Sequence, residues 1–261
     1  LDCEPDQINP RWEEALVNPL KPAIVEKAAC QEVVLMGDEA KLSDLPVPTW
    51  TPGKDPAPYI TTTVMTKLVD SDNQNSGVYR TLVRDDHHVV VNMNPRRGGN
   101  DQCETWWSQG KAAPVAWVIG ADPAYQLASV ATMPTGMQEM EVAGGLMGEP
   151  IELVKCVTND ILVPANAEII IEGEIMPGDR DKEGPFGENL GFMCEISEKP
   201  VARITAITRR KDAIYYGMTS QMPPSESTTL QSQSTAGLIS KILRHDLGEK
   251  AIKDFYIDLT F

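Results

Sequence analysis

The sequence predicts an α+β protein built around a β-barrel or sandwich with inserted helices. Three observations carry this. From residue 59 the chain is divided into short runs rich in β-branched residues, bounded by turn-forming residues. Helical periodicity is confined to a few segments. The two kinds of segment do not alternate as a βαβ series would, so a doubly wound parallel sheet is not expected.

In chain order, residues 1–58 read as a proline-rich, irregular lead-in. Pro46, Pro48, Pro52, Pro56 and Pro58 forbid a long helix or a central strand there, and only 32–36 reads as a strand. Strands are then expected over 59–69, 78–83, 88–93, 115–119, 151–157, 167–176, 191–196, 201–208 and 213–218. Arg84-Asp85-Asp86-His87 reads as a hairpin turn. Helices are expected over 100–109, from Asp122-Pro123 (an N-cap with proline at N1), around 137–147, and over 228–245. The last would bury Leu238, Ile239, Ile242 and Leu243 on one face.

Composition removes whole classes of function. The chain has 261 residues, 41% hydrophobic and 23% charged, which suits a folded protein with a sizeable core. A net charge of −15 repels nucleic acid, and Arg96-Arg97 and Arg209-Arg210-Lys211 are too short to form a binding stripe. No apolar run approaches the roughly 20 residues that cross a membrane. Cys3, Cys30, Cys103, Cys156 and Cys194 are scattered and odd in number. They suggest neither a disulfide framework nor a zinc site, and a reducing cytoplasm is the expected compartment. The chain starts at Leu1 with no signal sequence, as though upstream residues had been removed. His87, His88 and His245 make no triad or zinc pattern, and no GxSxG, P-loop or GxGxxG occurs.

Four stretches could carry chemistry. Glu183-Gly184-Pro185-Phe186-Gly187-Glu188 sets two carboxylates on a loop that is neither helix nor regular strand. It is either a paired acid/base site or a solvated acidic turn. Asn75-Ser76-Gly77-Val78-Tyr79-Arg80 is a polar loop running into a strand; it is either an anion site with an inward arginine or a plain turn. Pro95-Arg96-Arg97-Gly98-Gly99 opens a helix and would bind an anion or be a solvated basic turn. Glu139 and Glu141 point in different directions on one helix, so at most one faces a site.

Taken together and in order, these segments resemble the UbiD family of decarboxylases, which use prenylated flavin mononucleotide (prenylated FMN). The matching residues are Asn75-x-Gly77-x-Tyr79-Arg80, Arg97-Gly98-Gly99, Gly120-Ala121-Asp122-Pro123-Ala124 and Glu139 ahead of Ala143-Gly144. Further along come Val154-Lys155-Cys156-Val157-Thr158-Asn159-Asp160, Val163-Pro164-Ala165, Glu168-Ile169, and Glu183-Gly184-Pro185-Phe186-Gly187-Glu188. The resemblance implies a split β-barrel of flavin-reductase type that (de)carboxylates an aromatic or α,β-unsaturated acid through a covalent substrate–cofactor adduct.

It places catalytic roles on Arg80, Glu183 and Glu188, and cofactor contacts on Asn75, Ser76, Gly77, Val78, Tyr79, Arg80, Arg96, Arg97, Ser129 and Glu139. A divalent metal, usually manganese, would be held by Asn75 and Glu139, but the family's histidine position falls on Arg96. Arginine has no acceptor for a metal, so it is expected to contact the phosphate instead. The implied partners are the acid substrate, a prenylflavin-synthesising enzyme, and either copies of the chain or a second subunit. The organisation that follows is a lead-in (1–58), a barrel domain with the cofactor and catalytic residues (59–226), and a C-terminal helix and linker (227–261) toward a domain this length cannot include. Two other readings remain at this point. One is a partner-dependent or non-catalytic subunit with altered cofactor and metal binding; the other is an ordinary FMN-binding oxidoreductase.

Overall fold

The computed structural model describes residues 3–134 and 136–258, so the last three residues of the expected C-terminal segment lie outside it. Twelve strands form among the described residues. They are β1 (Ala23–Ile24), β2 (Val33–Met36), β3 (Tyr59–Ile60), β4 (Thr63–Lys67), β5 (Gln74–Val78) and β6 (Thr81–Val83). Then follow β7 (His88–Val91), β8 (Ala113–Ile119), β9 (Glu152–Lys155), β10 (Leu162–Pro164), β11 (Ile169–Glu183) and β12 (Ser197–Arg209). Five α-helices accompany them: α1 (Ile8–Val17), α2 (Gly98–Trp107), α3 (Pro123–Val130), α4 (Glu139–Met147) and α5 (Glu226–Lys241).

The main sheet runs β3-β6-β7-β12-β11-β8-β4-β5, with β2 added to β12, and every pairing is antiparallel. It curls into a half-barrel, the α+β split-barrel architecture expected from the sequence. A small sheet, β1-β9-β10, lies beside it.

The period-two alternation of a strand explains the layering. Ala116 and Val118 of β8, Met65 of β4 and Ile170 of β11 join one core with the helices. Val115, Trp117 and Ile119 of β8, Val64 of β4, and Ile169, Ile171 and Ile175 of β11 fill the other core, inside the curl. Strand β8 is thus buried on both faces and carries no polar side chain. Tyr125, Ala128, Met140, Val142 and Leu146 supply the helix side, joined by Trp12, Ala15 and Leu16 of α1.

Several elements differ from expectation. The lead-in is not irregular throughout: α1, with Pro10 in its first turn, precedes the cluster from Pro46 to Pro58 and buries Trp12, Ala15 and Leu16. The strand expected over 59–69 breaks at Thr61-Thr62, and that over 78–83 breaks at Tyr79-Arg80. Asn75–Val78 belong to strand β5 paired with β4, not to a loop. Residues 191–196 make only an isolated bridge, Gly187 with Met193. Residues 213–218 are no strand because their amides are spent on side chains: Ile214 N–H donates to Glu168 Oε2 (3.0 Å) and Met218 N–H to Thr61 Oγ1 (3.1 Å).

Helix α5 buries Ser232, Ser234, Ala236, Gly237 and Ser240, while Ile242 is exposed in the π-helical turn that follows. Small residues win because Gly237 lies against Trp12: a β-carbon there would stand 2.4 Å from Trp12 Cβ. Asp122 caps α3 as expected, accepting from Ala124 N–H at 2.8 Å. The hairpin at 84–87 also forms, with Arg84 N–H donating to His88 O (3.0 Å).

Candidate active site

A cavity of 520 Å³ opens where β5, the turn after it, the start of α2, the end of α3 and the start of α4 converge. Asn75, Ser76, Gly77, Val78, Tyr79 and Arg80 all line it, together with Arg97, Ser129, Glu139 and Glu188. Because β5 ends the sheet order, its outer edge has no strand partner among the described residues and its backbone is available to other groups.

The walls are tied together by Tyr79 and Ser76. The Tyr79 hydroxyl accepts from Gly99 N–H (3.0 Å) and from Asn75 Nδ2 (3.3 Å), which sets the start of α2 against β5. The Ser76 hydroxyl donates to Tyr125 Oη (2.8 Å) and lies 2.9 Å from Ser129 Oγ, joining β5 to α3. Ser76 N–H donates to Glu139 Oε2 at 3.3 Å. Burial pushes the Glu139 carboxyl up to about 7, against the opposing pull of backbone hydrogen bonds from its own residue and Ser76. Gly98 packs closely: a β-carbon would meet Asn75 Oδ1 at 2.2 Å, so the Asn75 side chain would have to move.

Arg80 is the centre of the second half of the site. Its Nε donates to Glu183 Oε1 (2.8 Å) and Nη2 to Glu183 Oε2 (2.9 Å), while Nη1 pairs with Glu188. Nη2 also reaches Cys194 Sγ at 3.0 Å. The Asn92 side-chain oxygen, with the amide oriented toward the guanidinium, accepts from Nη1 and Nη2 at 3.2 Å. The Phe186 ring lies 5.4 Å beneath the guanidinium carbon. Burial disfavours the charge on Arg80, but its bonds to Glu183 and the two carboxylate charges more than offset this, and its proton is held more tightly than usual. Glu183 is fully shielded from solvent, whereas the Glu188 side chain is 41% exposed. Burial also raises the Cys194 thiol pKa, with Arg80 pulling the other way.

The loop between the two acids folds back on itself. Cys194 N–H donates to Phe186 O (2.8 Å), Phe186 N–H to Cys194 Sγ (3.2 Å) and Glu188 N–H to Phe192 O (2.6 Å). The loop is therefore built, not a solvated acidic turn.

Most of the expected site residues are thus brought together, with one correction. Arg96 does not line the cavity. It is exposed, with a φ of 64°, and its N–H donates to Asp101 Oδ1 (3.1 Å); Arg97 lines the wall instead. Asn75 and Glu139 offer two hard oxygens, yet among the described residues no group of three or more His, Cys, Asp or Glu side chains could hold a metal. These two residues would supply part of the oxygen shell of a manganese-type cation, the rest falling to water or a phosphate.

A phosphate-bearing flavin suits the site better. The volume lies in the range of small-molecule pockets. The uncapped start of α2 and Arg97 favour an anion. Sequence reasoning missed Tyr59, Asn92, Cys194 and the platform role of Phe186. All of them act across the fold, with no local signal beyond strand-forming composition.

Residues 23–223 match the family described as UbiD: 3-octaprenyl-4-hydroxybenzoate carboxy-lyase Rift-related domain, and the chain belongs to this family. Among solved structures it is similar to an evolved dimeric form of the UbiD-class enzyme HmfF from Pelotomaculum thermopropionicum in complex with prFMN. That match has 31% identity and a TM-score of 0.86, covering 95% of this chain and 58% of that one. The closed form of vanillic acid decarboxylase (ShVdcCD) from Sedimentibacter hydroxybenzoicus matches at 28% identity and a TM-score of 0.87, covering 95% and 54%. The apo 3,4-dihydroxybenzoic acid decarboxylase AroY of Klebsiella pneumoniae matches at 27% and 0.83, again covering 95% and 54%. The chain therefore spans a little over half the length of these relatives. Among the described residues no helix is long and apolar enough to cross a membrane.

Proposed function

We propose that the chain forms the cofactor-binding and catalytic part of a prenylated-FMN-dependent decarboxylase, reversible in principle, acting on an aromatic or α,β-unsaturated carboxylic acid. The observation that carries this is the Arg80–Glu183–Glu188 cluster, set on a cavity that also gathers Arg97, Ser129 and Glu139. A flavin-binding oxidoreductase has no use for a buried carboxylate locked to an arginine beside an exchangeable one. Family membership and the decarboxylases among its structural relatives support the same reading.

Each residue has a distinct task. Arg97, the backbone at Gly98 and the Ser76–Ser129 pair would hold the phosphate-bearing cofactor, whose modified ring supplies the electron sink when the C–C bond breaks. Asn75 and Glu139 would meet any metal that bridges to that phosphate. Arg80 would hold the substrate carboxylate, an anion suited to its planar fork. To do so it must release Nη1 from Glu188, which the exposure of Glu188 allows, while Glu183 keeps the guanidinium in place. Released from the ion pair and open to solvent, Glu188 would take up a proton from water and deliver it to the carbon that loses CO2.

The barrel unit over 59–226 would work with further chain or a second subunit, as a homo-oligomer or a complex. Its cofactor would come from a prenylflavin-synthesising enzyme, in a cytoplasm that keeps the five free cysteines reduced. Co-expression with such an enzyme tests the proposal. A bound modified flavin in the visible spectrum, with CO2 released from a panel of aromatic and unsaturated acids, is expected. An ordinary flavin reduced by a nicotinamide would overturn it. Flavin binding without turnover, unaffected by Glu188→Gln, would indicate a non-catalytic subunit.

A further inference from the structure

We infer that Tyr59 is a positioning residue of this site: its hydroxyl fixes the plane of the Glu183 carboxylate and, through it, the edge that Arg80 turns to the cavity. The inference rests on the roles proposed above for Arg80 and Glu183. Tyr59 is fully buried. Its hydroxyl donates to Glu183 Oε1 (3.2 Å) and accepts from Gly184 N–H (3.2 Å). One oxygen thus links the carboxylate to the main chain immediately after it, and the hydroxyl's single proton is committed to Glu183.

This matters because the terminal torsion of glutamate is soft. The two-point match to Arg80 needs both oxygens in one plane, and nothing in Glu183 itself enforces that. The tyrosine can enforce it because it is held on every side. Its N–H donates to Pro48 O (3.0 Å), its carbonyl accepts from the Trp50 indole (3.0 Å), and its ring packs on Phe186 with centroids 4.4 Å apart. It also sits on β3, paired with β6, which begins immediately after Arg80. The tyrosine on β3 and the arginine just before its partner β6 are therefore brought side by side, and Glu183 at the end of β11 closes the triangle. Burial and the Glu183 charge both raise the phenol pKa, so the hydroxyl remains a donor. A ring needed only for packing would be served equally by phenylalanine.

The test does not require turnover. In the full-length chain labelled with 15N-arginine, the Arg80 Nε–H signal is assigned with Arg80→Lys and its exchange with solvent is measured. Loss of one hydrogen bond at a buried charged pair predicts about tenfold faster exchange in Tyr59→Phe. Glu183→Gln should do the same, and the double variant should add nothing to Glu183→Gln alone. Unchanged exchange in Tyr59→Phe, or losses that simply add, would overturn the inference.

In the flavin-loaded protein, Tyr59→Phe should lower kcat/KM, mainly by raising KM, with an unchanged circular dichroism spectrum. If the loaded wild type releases no CO2 from any acid while the exchange pattern holds, the proposed function fails and the positioning role stands.

Discussion

Arg80 and Glu183, 103 residues apart in the chain, meet in a two-point pairing at 2.8 and 2.9 Å in which the carboxylate has no solvent exposure. Such a pair adds little net stability when intact, but removing one partner leaves a buried charge uncompensated, at about 3–5 kcal/mol. Arg80→Ala should therefore lower the unfolding free energy by about that much, measured by urea denaturation. Glu183→Gln should cost less, because Arg80 keeps Glu188.

The two acids should separate kinetically. Glu188→Gln removes a group that would move a proton, so CO2 release from the loaded protein should fall by about 10²–10⁴-fold, with substrate binding retained. Glu183→Gln should weaken binding of a non-reacting carboxylate as well, because it loosens Arg80. Isothermal titration with an unreactive acid, beside turnover assays, distinguishes the two patterns.

Gly98→Ala should damage cofactor binding without damaging the fold. The added β-carbon would meet Asn75 Oδ1 at 2.2 Å, yet Gly98 itself is exposed and φ-permissive residues are not required there. Displacing Asn75 and the first turn of α2 should weaken flavin affinity by about tenfold, the equivalent of one good hydrogen bond. A fluorescence titration with flavin, beside the thermal midpoint, checks both halves of this statement.

Cys194 should label slowly near neutral pH. Burial raises its pKa above the ordinary 9.0, so at any lower pH it holds less thiolate than a free cysteine, and the thiolate is the reactive form. Its alkylation rate should rise roughly tenfold per pH unit and continue rising past pH 9. Cys30, with a thiol pKa pushed up to about 11, and the buried Cys103 and Cys156 should stay unlabelled until the protein unfolds. Peptide mapping after timed iodoacetamide exposure measures this.

Gly237→Ala should destabilise the protein by about 1–3 kcal/mol through overpacking on Trp12. This exceeds the gain of about 1 kcal/mol that alanine normally brings to a helix interior. Denaturant titration gives the sign directly.

The strands of the barrel were legible because β-branched alternation is a local signal; β7, β8 and β12 fall within a few residues of where the sequence places them. Arg80, Glu183 and Glu188 were implied as one catalytic set by the family resemblance, but no local pattern could show it, since their pairing spans more than a hundred residues. Tyr59 and Cys194 carry no local mark: one is an ordinary strand aromatic and the other one of five scattered cysteines. Helix α1 was masked by the prolines around it, although Pro10 falls in its first turn, where proline is tolerated. Residues 213–218 have strand composition, but the Ile214 and Met218 amides donate to side chains instead, and composition alone cannot report that. Arg96 and Arg97 are adjacent and chemically identical, so only the backbone, with Arg96 at positive φ, decides which lines the cavity.

The contact of Gly237 with Trp12 joins two pieces that both lie outside the family-matched stretch of 23–223: α1 before it and α5 after it. Trp12, Ala15 and Leu16 complete the same core as Tyr125 and Met140, next to the Ser76–Tyr125 bond of the cavity wall. A chain trimmed to the matched residues would present that core bare to water. The smallest unit able to hold the cavity in shape is thus larger than the matched domain, and the two flanking helices must be kept or lost together. A substitution that enlarges one side of their contact has to be answered by a smaller residue on the other.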